Sequence, residues 1–359
     1  MIPYLIIFLC FFFAAQNDKS PSQKIWYYFL FFGASLMVGL RDMIGGYDVY
    51  VYGEIYEADV LFLLTYDLME IGFRYFYLFL KFFNEDRHFM FFVMAFLIFF
   101  FQFRTYKKYS PLLLLSLFIF FCKFFLMSFV YIRQGLAMGI ITLAIPFVLS
   151  KQYWKYFFVI FLAYNVHKSS ILFLPFIFVA HRNFSSSQLF YMITAVVIIA
   201  VTPLNNFLLG YLADSTEDQK VAIYVNKDEG VNLFYFIEII VLSVILLSTK
   251  VEFYKNPTTR VIANGLVVYI LISLLGISNA TFVRFTWYYL PFYVLGLTYF
   301  IYFQKDISNL KLYRTVLFIY FSLVFIRLLL IYDGGDFMPY KTIFDDTERN
   351  SMWEFMEYR

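Results

Sequence analysis

The feature that most constrains this chain is a series of apolar runs that recurs along nearly its whole length, with short charged stretches between them. The runs fall at 2–16, 25–40, 88–103, 111–131, 134–149, 156–166, 170–180, 189–211, 231–249, 261–279, 285–303 and 314–332. An α-helix crosses a bilayer in about 20 residues, and backbone in hydrocarbon must satisfy its own polar groups, so helices are the form such runs take. The expected fold is an all-α polytopic integral membrane protein, residues 1–359 forming one domain of about 11–12 transmembrane segments, some of them short or broken. A soluble surface needs about a quarter charged residues, and this chain has 15% charged against 62% hydrophobic. Residues 1–15 lack a basic flank and a second run follows closely, so the first is expected to stay in place as a helix. Cys10 and Cys122 both lie inside apolar runs and form no CxxC pair, which argues against a disulfide scaffold or a cysteine metal site.

Charge decides the orientation. If 156–166 and 170–180 reach the membrane separately, the loops 17–24, 104–109, 150–155, 181–188, 250–260 and 304–314 share one side and carry a net +11. The other side holds 41–87, 212–230 and the tail 333–359, at −9 once Arg133, Lys168 and Arg284 are counted. The positive-inside rule makes the first set cytoplasmic and the second extracytoplasmic, with both termini outside the cytoplasm. A single 156–180 helix would spoil that segregation, so a break is expected near Asn165–Lys168, where irregular backbone at membrane depth marks a site. Within 41–87, the stretch Glu70–Phe83 reads as an interfacial or re-entrant helix, its carboxylate favouring the helix dipole.

The residues that carry chemistry gather on the acidic outer side. Arg41-Asp42 opens the long loop, and Gly45-Gly46 supplies a turn expected to fold Asp42 and Asp48 toward Arg41. Tyr47, Tyr50, Tyr52 and Tyr56 form an aromatic stretch able to stack on sugar rings. Arg133-Gln134 begins a run whose Gly135 and Gly139 give a small face for close packing. Together with His167-Lys168 and Arg284, Arg133 makes a group of bases suited to an anion such as a phosphate. Glu238 and Arg327 lie inside apolar runs, where charge is costly and points to a pathway or a partner; Lys123 reads as structural. The chain has no HExxH, Walker, GxGxxG or nucleophile-elbow motif, so no nucleotide engine and no metal or cofactor is expected. Its net charge of +3 is segregated by face, and nucleic acid is not an expected partner.

Four blocks, RDMIGGYDVYVY at 41–52, Glu70-x-Gly72-Phe73, Arg133-Gln134-Gly135-Leu136-Ala137 and AYNVHKSS at 163–170, resemble in their order the EpsG family of Wzy-like polysaccharide polymerases. Arg284 and the late Pro339-Tyr340 resemble its C-terminal features; Gly46 departs from it, since the family more often has Thr or Ser there. The resemblance implies an enzyme of the bacterial cytoplasmic membrane that joins undecaprenyl-diphosphate-linked oligosaccharide units at the outer face. A flippase and a chain-length regulator are its implied partners. It implies a glycosyl transfer in which arginines face the diphosphate and Asp48, Asp42 or His167 accepts the hydroxyl proton; the expected substrate-binding residues are Arg133, Arg284, Arg41, Gln134, Lys168, Tyr47, Tyr52, Glu70, Glu238, Arg327 and Tyr340. A flippase or exporter, a single-sugar glycosyltransferase, a ligase and an O-acyltransferase are the competing readings.

Overall fold

The computed structural model of the protein describes residues 1–18, 20–202, 204, 232–277, 279–331 and 337–345. The acidic segment 212–230 therefore lies outside the described residues, as does most of the tail 333–359. The described elements are helical, apart from turns and one isolated antiparallel bridge between Arg41 and Thr342. Five helical stretches are long and apolar enough to cross a membrane: Arg87–Tyr109, Ile132–Leu149, Leu233–Tyr254, Pro257–Leu275 and Ile307–Ile331. Shorter apolar helices include Ile2–Gln16, Leu113–Phe124 and Ser186–Val201. This is the all-α, multi-pass membrane architecture expected from the apolar runs. Val241, Val244 and Val251 on one long helix, and Ile319, Leu323 and Leu330 on another, are exposed. Such an apolar outer face is stable against lipid and costly against water.

The chain groups into two compact units. The first comprises 1–145, 154–171 and the segment from 304 onward. Its centre is aromatic. Phe11 of the first helix stacks on Phe121 at 4.2 Å, and Phe121 on Phe325 at 5.1 Å, tying Ile2–Gln16, Leu113–Phe124 and Ile307–Ile331 together. Asp18, just past the first helix, accepts from the main-chain amides of Leu114 (2.6 Å) and Leu115 (3.0 Å), capping a helix nearly a hundred residues away. Ile132–Thr142 packs on Arg87–Tyr109 through its small face. A methyl added at Gly139 would lie 2.9 Å from the Phe101 ring, and one at Gly135 3.0 Å from Ile98.

The second unit comprises 146–153 and 172–303. There Pro257–Leu275 packs between Leu233–Tyr254 and Leu290–Phe303. Asn264, fully buried, donates its amide to the carbonyls of Val179, Ala180 and Arg182 at 2.8–3.0 Å, and its Oδ1 accepts from the Tyr254 hydroxyl at 2.6 Å. A polar side chain so satisfied fixes the end of the Phe176–Val179 turn inside apolar surroundings.

Three helices, Tyr47–Glu57, Val60–Thr65 and Ile71–Lys81, build the long 41–87 segment of the first unit. Gly45 and Gly46 adopt φ of 126° and 78°, the turn expected of the pair, and it starts the Tyr47–Glu57 helix. Helix Tyr153–Val166 stops at His167, and the chain continues in a 3-10 turn, Lys168–Phe173. The expected break at Asn165–Lys168 is thus an interruption of the helix at that point.

Candidate functional site

One carboxylate organises the first unit's polar centre. Glu70 N-caps Ile71–Lys81, yet its side chain makes no bond to that helix and is turned elsewhere. Its Oε2 accepts from Arg133 Nη1 at 2.6 Å, and its Oε1 meets His167 Nδ1 at 3.1 Å and accepts from the Lys168 main-chain N–H at 3.0 Å. The reading of Glu70 as a helix-dipole residue is therefore corrected: it joins three segments. Burial alone would raise the Glu70 carboxyl, but the His167 hydrogen bond, the Arg133 charge and the Lys168 amide outweigh it and bring the group down to about 2.

The backbone is shaped for this meeting. A side chain at Gly72 would place its Cβ 2.6 Å from Asn165 Cβ and 2.8 Å from Asn165 O, so only glycine lets the start of Ile71–Lys81 reach the interrupted helix. Arg133 is the second residue of Ile132–Thr142, which begins two residues before the expected Gln134. Its Nε donates to the Tyr52 hydroxyl at 3.2 Å, its guanidinium lies 5.3 Å from the Tyr52 ring centroid, and Nη1 also reaches the Leu68 carbonyl at 3.4 Å. The first amides of that helix lack intrahelical acceptors, which adds positive potential beside the guanidinium. The Arg133 and His167 side chains keep 19% and 21% exposure, so neither is sealed from solvent.

Tyr52, Glu70, Arg133, His167 and Lys168, all expected site residues, are brought together within one unit. Asp48 lies one helical turn before Tyr52 on the same face, exposed, in the first turn of its helix. Tyr47 is exposed, whereas Tyr50, Tyr52 and Tyr56 are buried and their rings belong to the core, not to a sugar platform. Gln134 is buried beside Arg133. The Lys168 side chain is exposed.

Arg41 takes a different place. It is 1% exposed, and its guanidinium donates to the carbonyls of Val38, Ile44 (3.0 Å) and Phe129 (2.8 Å), beneath the Phe91 and Phe129 rings. The expected gathering of Asp42 and Asp48 toward Arg41 is corrected here. Asp42 is buried and meets His88 Nε2 at 3.1 Å, while His88 Nδ1 meets Asp86 at 3.0 Å. His88 escaped notice in the sequence because it stands at the mouth of an apolar run; the spacing Asp86-x-His88 was its one signal. Tyr340 donates to the Met37 carbonyl at 2.7 Å, in the segment that pairs with Leu40–Asp42. Arg327 is exposed on Ile307–Ile331. Glu238 and Arg284 belong to the second unit: Glu238 is 7% exposed, one turn after Tyr235, and Arg284 opens a 3-10 turn.

The ordered blocks at 41–52, 70–73, 133–137 and 163–170 now have a common geometric centre, and residues 24–342 match the EpsG family. The chain belongs to the EpsG family. EpsG membership places it among membrane proteins of the Wzy-like group associated with polysaccharide polymerisation. No curated protein and no solved structure matches the chain.

Proposed function

We propose that this EpsG-family protein polymerises lipid-diphosphate-linked oligosaccharide units by glycosyl transfer at the outer face of the bacterial cytoplasmic membrane. The carrying observation is that Arg133, His167 and the Lys168 amide converge on the Glu70 carboxylate while Tyr52 accepts from Arg133, so that four distant blocks of sequence meet in one cluster. Such a cluster supplies what the transfer needs. A partly exposed guanidinium at a helix N-terminus stabilises negative charge as the diphosphate departs. His167 or Asp48 takes the acceptor's proton. The exposed Tyr47 ring suits a sugar face. The lipid-linked donor carries its own leaving group, so the reaction requires no nucleotide.

The segregation of +11 against −9 in the loops supports an outward-facing cluster. The donor is read as undecaprenyl diphosphate, and a flippase and a chain-length regulator act beside the enzyme. The test is direct. Purified protein in liposomes, given lipid-linked repeat units, converts them into a ladder of multiples. A flippase would relocate the units and leave them single, and that result would sink the polymerase reading.

A further inference from the structure

The geometry points to Glu70 as a positioning residue for the base: its carboxylate holds the neutral His167 ring with the proton on Nδ1, so that Nε2 is the atom that takes the acceptor's proton. This inference rests on the polymerase reading above and deepens it, because it assigns the base and names what orients it.

The argument starts from donor and acceptor capacity. An ionised carboxylate can only accept. Glu70 sits between a guanidinium at 2.6 Å and a main-chain amide at 3.0 Å, both of which favour its charged form. Its contact with His167 Nδ1 at 3.1 Å is therefore an Nδ1–H donating to Oε1. In a neutral imidazole that leaves the lone pair on Nε2. A hydrogen bond from the far nitrogen to a carboxylate also raises the basicity of the near one.

A purely structural Glu70 would need less. Anchoring the interrupted helix requires only the Lys168 amide, which opens the 3-10 turn. Here the same oxygen that takes this amide also takes the ring of the preceding residue, so backbone and imidazole are fixed together. The glycine contact between Gly72 and Asn165 then sets how near the carboxylate comes.

The charges around the ring match the reaction. Besides Glu70, the charged and titratable groups around the cluster among the described residues are Arg133, Tyr52, Tyr77, Lys168 and, one turn from Tyr52, Asp48. Glu70 and Arg133 nearly cancel. In the transfer, the acceptor hydroxyl oxygen bonds to the donor's anomeric carbon while the carbon–oxygen bond to the diphosphate breaks. That bond's electron pair stays on the diphosphate oxygen, and the hydroxyl proton moves to His167 Nε2. The ring gains one positive charge as the leaving group gains one negative charge, and release of that proton to water resets the site. Asp48, exposed and without such an orienting partner in its helix's first turn, is placed as a contributor to acceptor binding.

The experiment uses full-length protein in bilayers, labelled with ¹⁵N-histidine, the His167 signal being the one absent from His167→Gln. In the wild type, neutral His167 shows its proton on Nδ1. In Glu70→Ala the proton moves to Nε2 and the titration shifts to lower pH, while Glu70→Asp restores both in part. On lipid-linked repeat units, His167→Gln and Glu70→Ala lower kcat by about 100-fold, and Asp48→Asn mainly raises KM. The acid limb of the kcat profile follows the His167 titration in wild type and Glu70→Asp.

A wild-type ring protonated on Nε2, or an unchanged tautomer in Glu70→Ala, overturns the inference whatever the activity, and the first needs no variant to fold. Wild-type turnover in His167→Gln overturns the base assignment. Absence of any polymer from the wild type overturns the polymerase reading alone, since the tautomer is measured without substrate.

Discussion

Arg41 and Arg133 lie in the same unit, and the loop charges led both to be expected on one side, so one reading covered both in the sequence. Their surroundings differ in kind. Arg41 is enclosed by main-chain carbonyls and two rings, and burial lowers its guanidinium to about 9, still charged at neutral pH. Arg133 is held chiefly by side chains, a carboxylate and a phenol, with one longer contact to the Leu68 carbonyl at 3.4 Å, and keeps a fifth of its surface. Carbonyls belonging to helix ends and turns cannot move aside for a ligand, whereas a carboxylate and a hydroxyl on neighbouring helices can share or yield a guanidinium to a diphosphate. An arginine's partners, more than its burial, separate a structural cation from one available to substrate.

The comparison breaks first at Arg41. Arg41→Leu strands three carbonyl groups and is expected to cost about 3–5 kcal/mol, read as loss of folded protein in detergent thermal melts. A variant that melts like wild type and only binds substrate poorly would make Arg41 a site residue after all. Arg133→Ala should act mainly on turnover. It melts below wild type, because Glu70 loses one of its three donors, but it still folds, while kcat/KM falls about 30- to 1000-fold, equivalent to about 2–4 kcal/mol, and Arg133→Lys recovers only part because the forked geometry is lost.

Glu70 sharpens the contrast through pH. Its folded value of about 2 lies below the ordinary 4.5, so its contribution to stability is fully present above pH 4.5 and is lost as pH falls toward 2. The loss amounts to about 3 kcal/mol in acid unfolding experiments, and Glu70→Gln removes that acid-dependent step. An unchanged acid profile in Glu70→Gln would show the carboxylate is not held by its three donors. The smallest effect is expected at Tyr52. Tyr52→Phe removes the acceptor for Arg133 Nε at 3.2 Å and should lower turnover about 3- to 10-fold, corresponding to roughly 1 kcal/mol. A Tyr52→Phe enzyme with unaltered kcat/KM would mean that Arg133 needs only Glu70 for its orientation.

The legible part of the fold and the illegible part have separate causes. Apolar runs disclose helices because membrane crossing imposes length and hydropathy, and the break at His167 was visible because a continuous helix put basic loops on the wrong side. The four residues gathered around Glu70, namely Tyr52, Arg133, His167 and Lys168, could be collected in advance as charges and polar rings expected on one side. Their hub could not, since the same Glu at the start of a helix also satisfies a dipole; only the fold shows its side chain turned away. Arg41 was misplaced for a similar reason: an arginine that leaves a helix looks the same whether its partners are carbonyls or a ligand. The Asp42–His88 contact and the capping of Leu114 and Leu115 by Asp18 join positions far apart in the chain, and neither follows a local spacing.

The segment that closes over Arg41 has a bearing on how the protein is made. Lys341 accepts from the Asp42 amide, Ile343 donates to Leu40, and Tyr340 reaches Met37 across 303 positions of sequence. At a synthesis rate of about 5–20 residues per second, those partners emerge from the ribosome roughly 15–60 s after the residues they cover. For that interval the nascent chain carries the start of its long 41–87 segment without the 340–343 segment that pairs with it. A segment made some 300 residues later is therefore what completes the base on which the 41–87 segment rests.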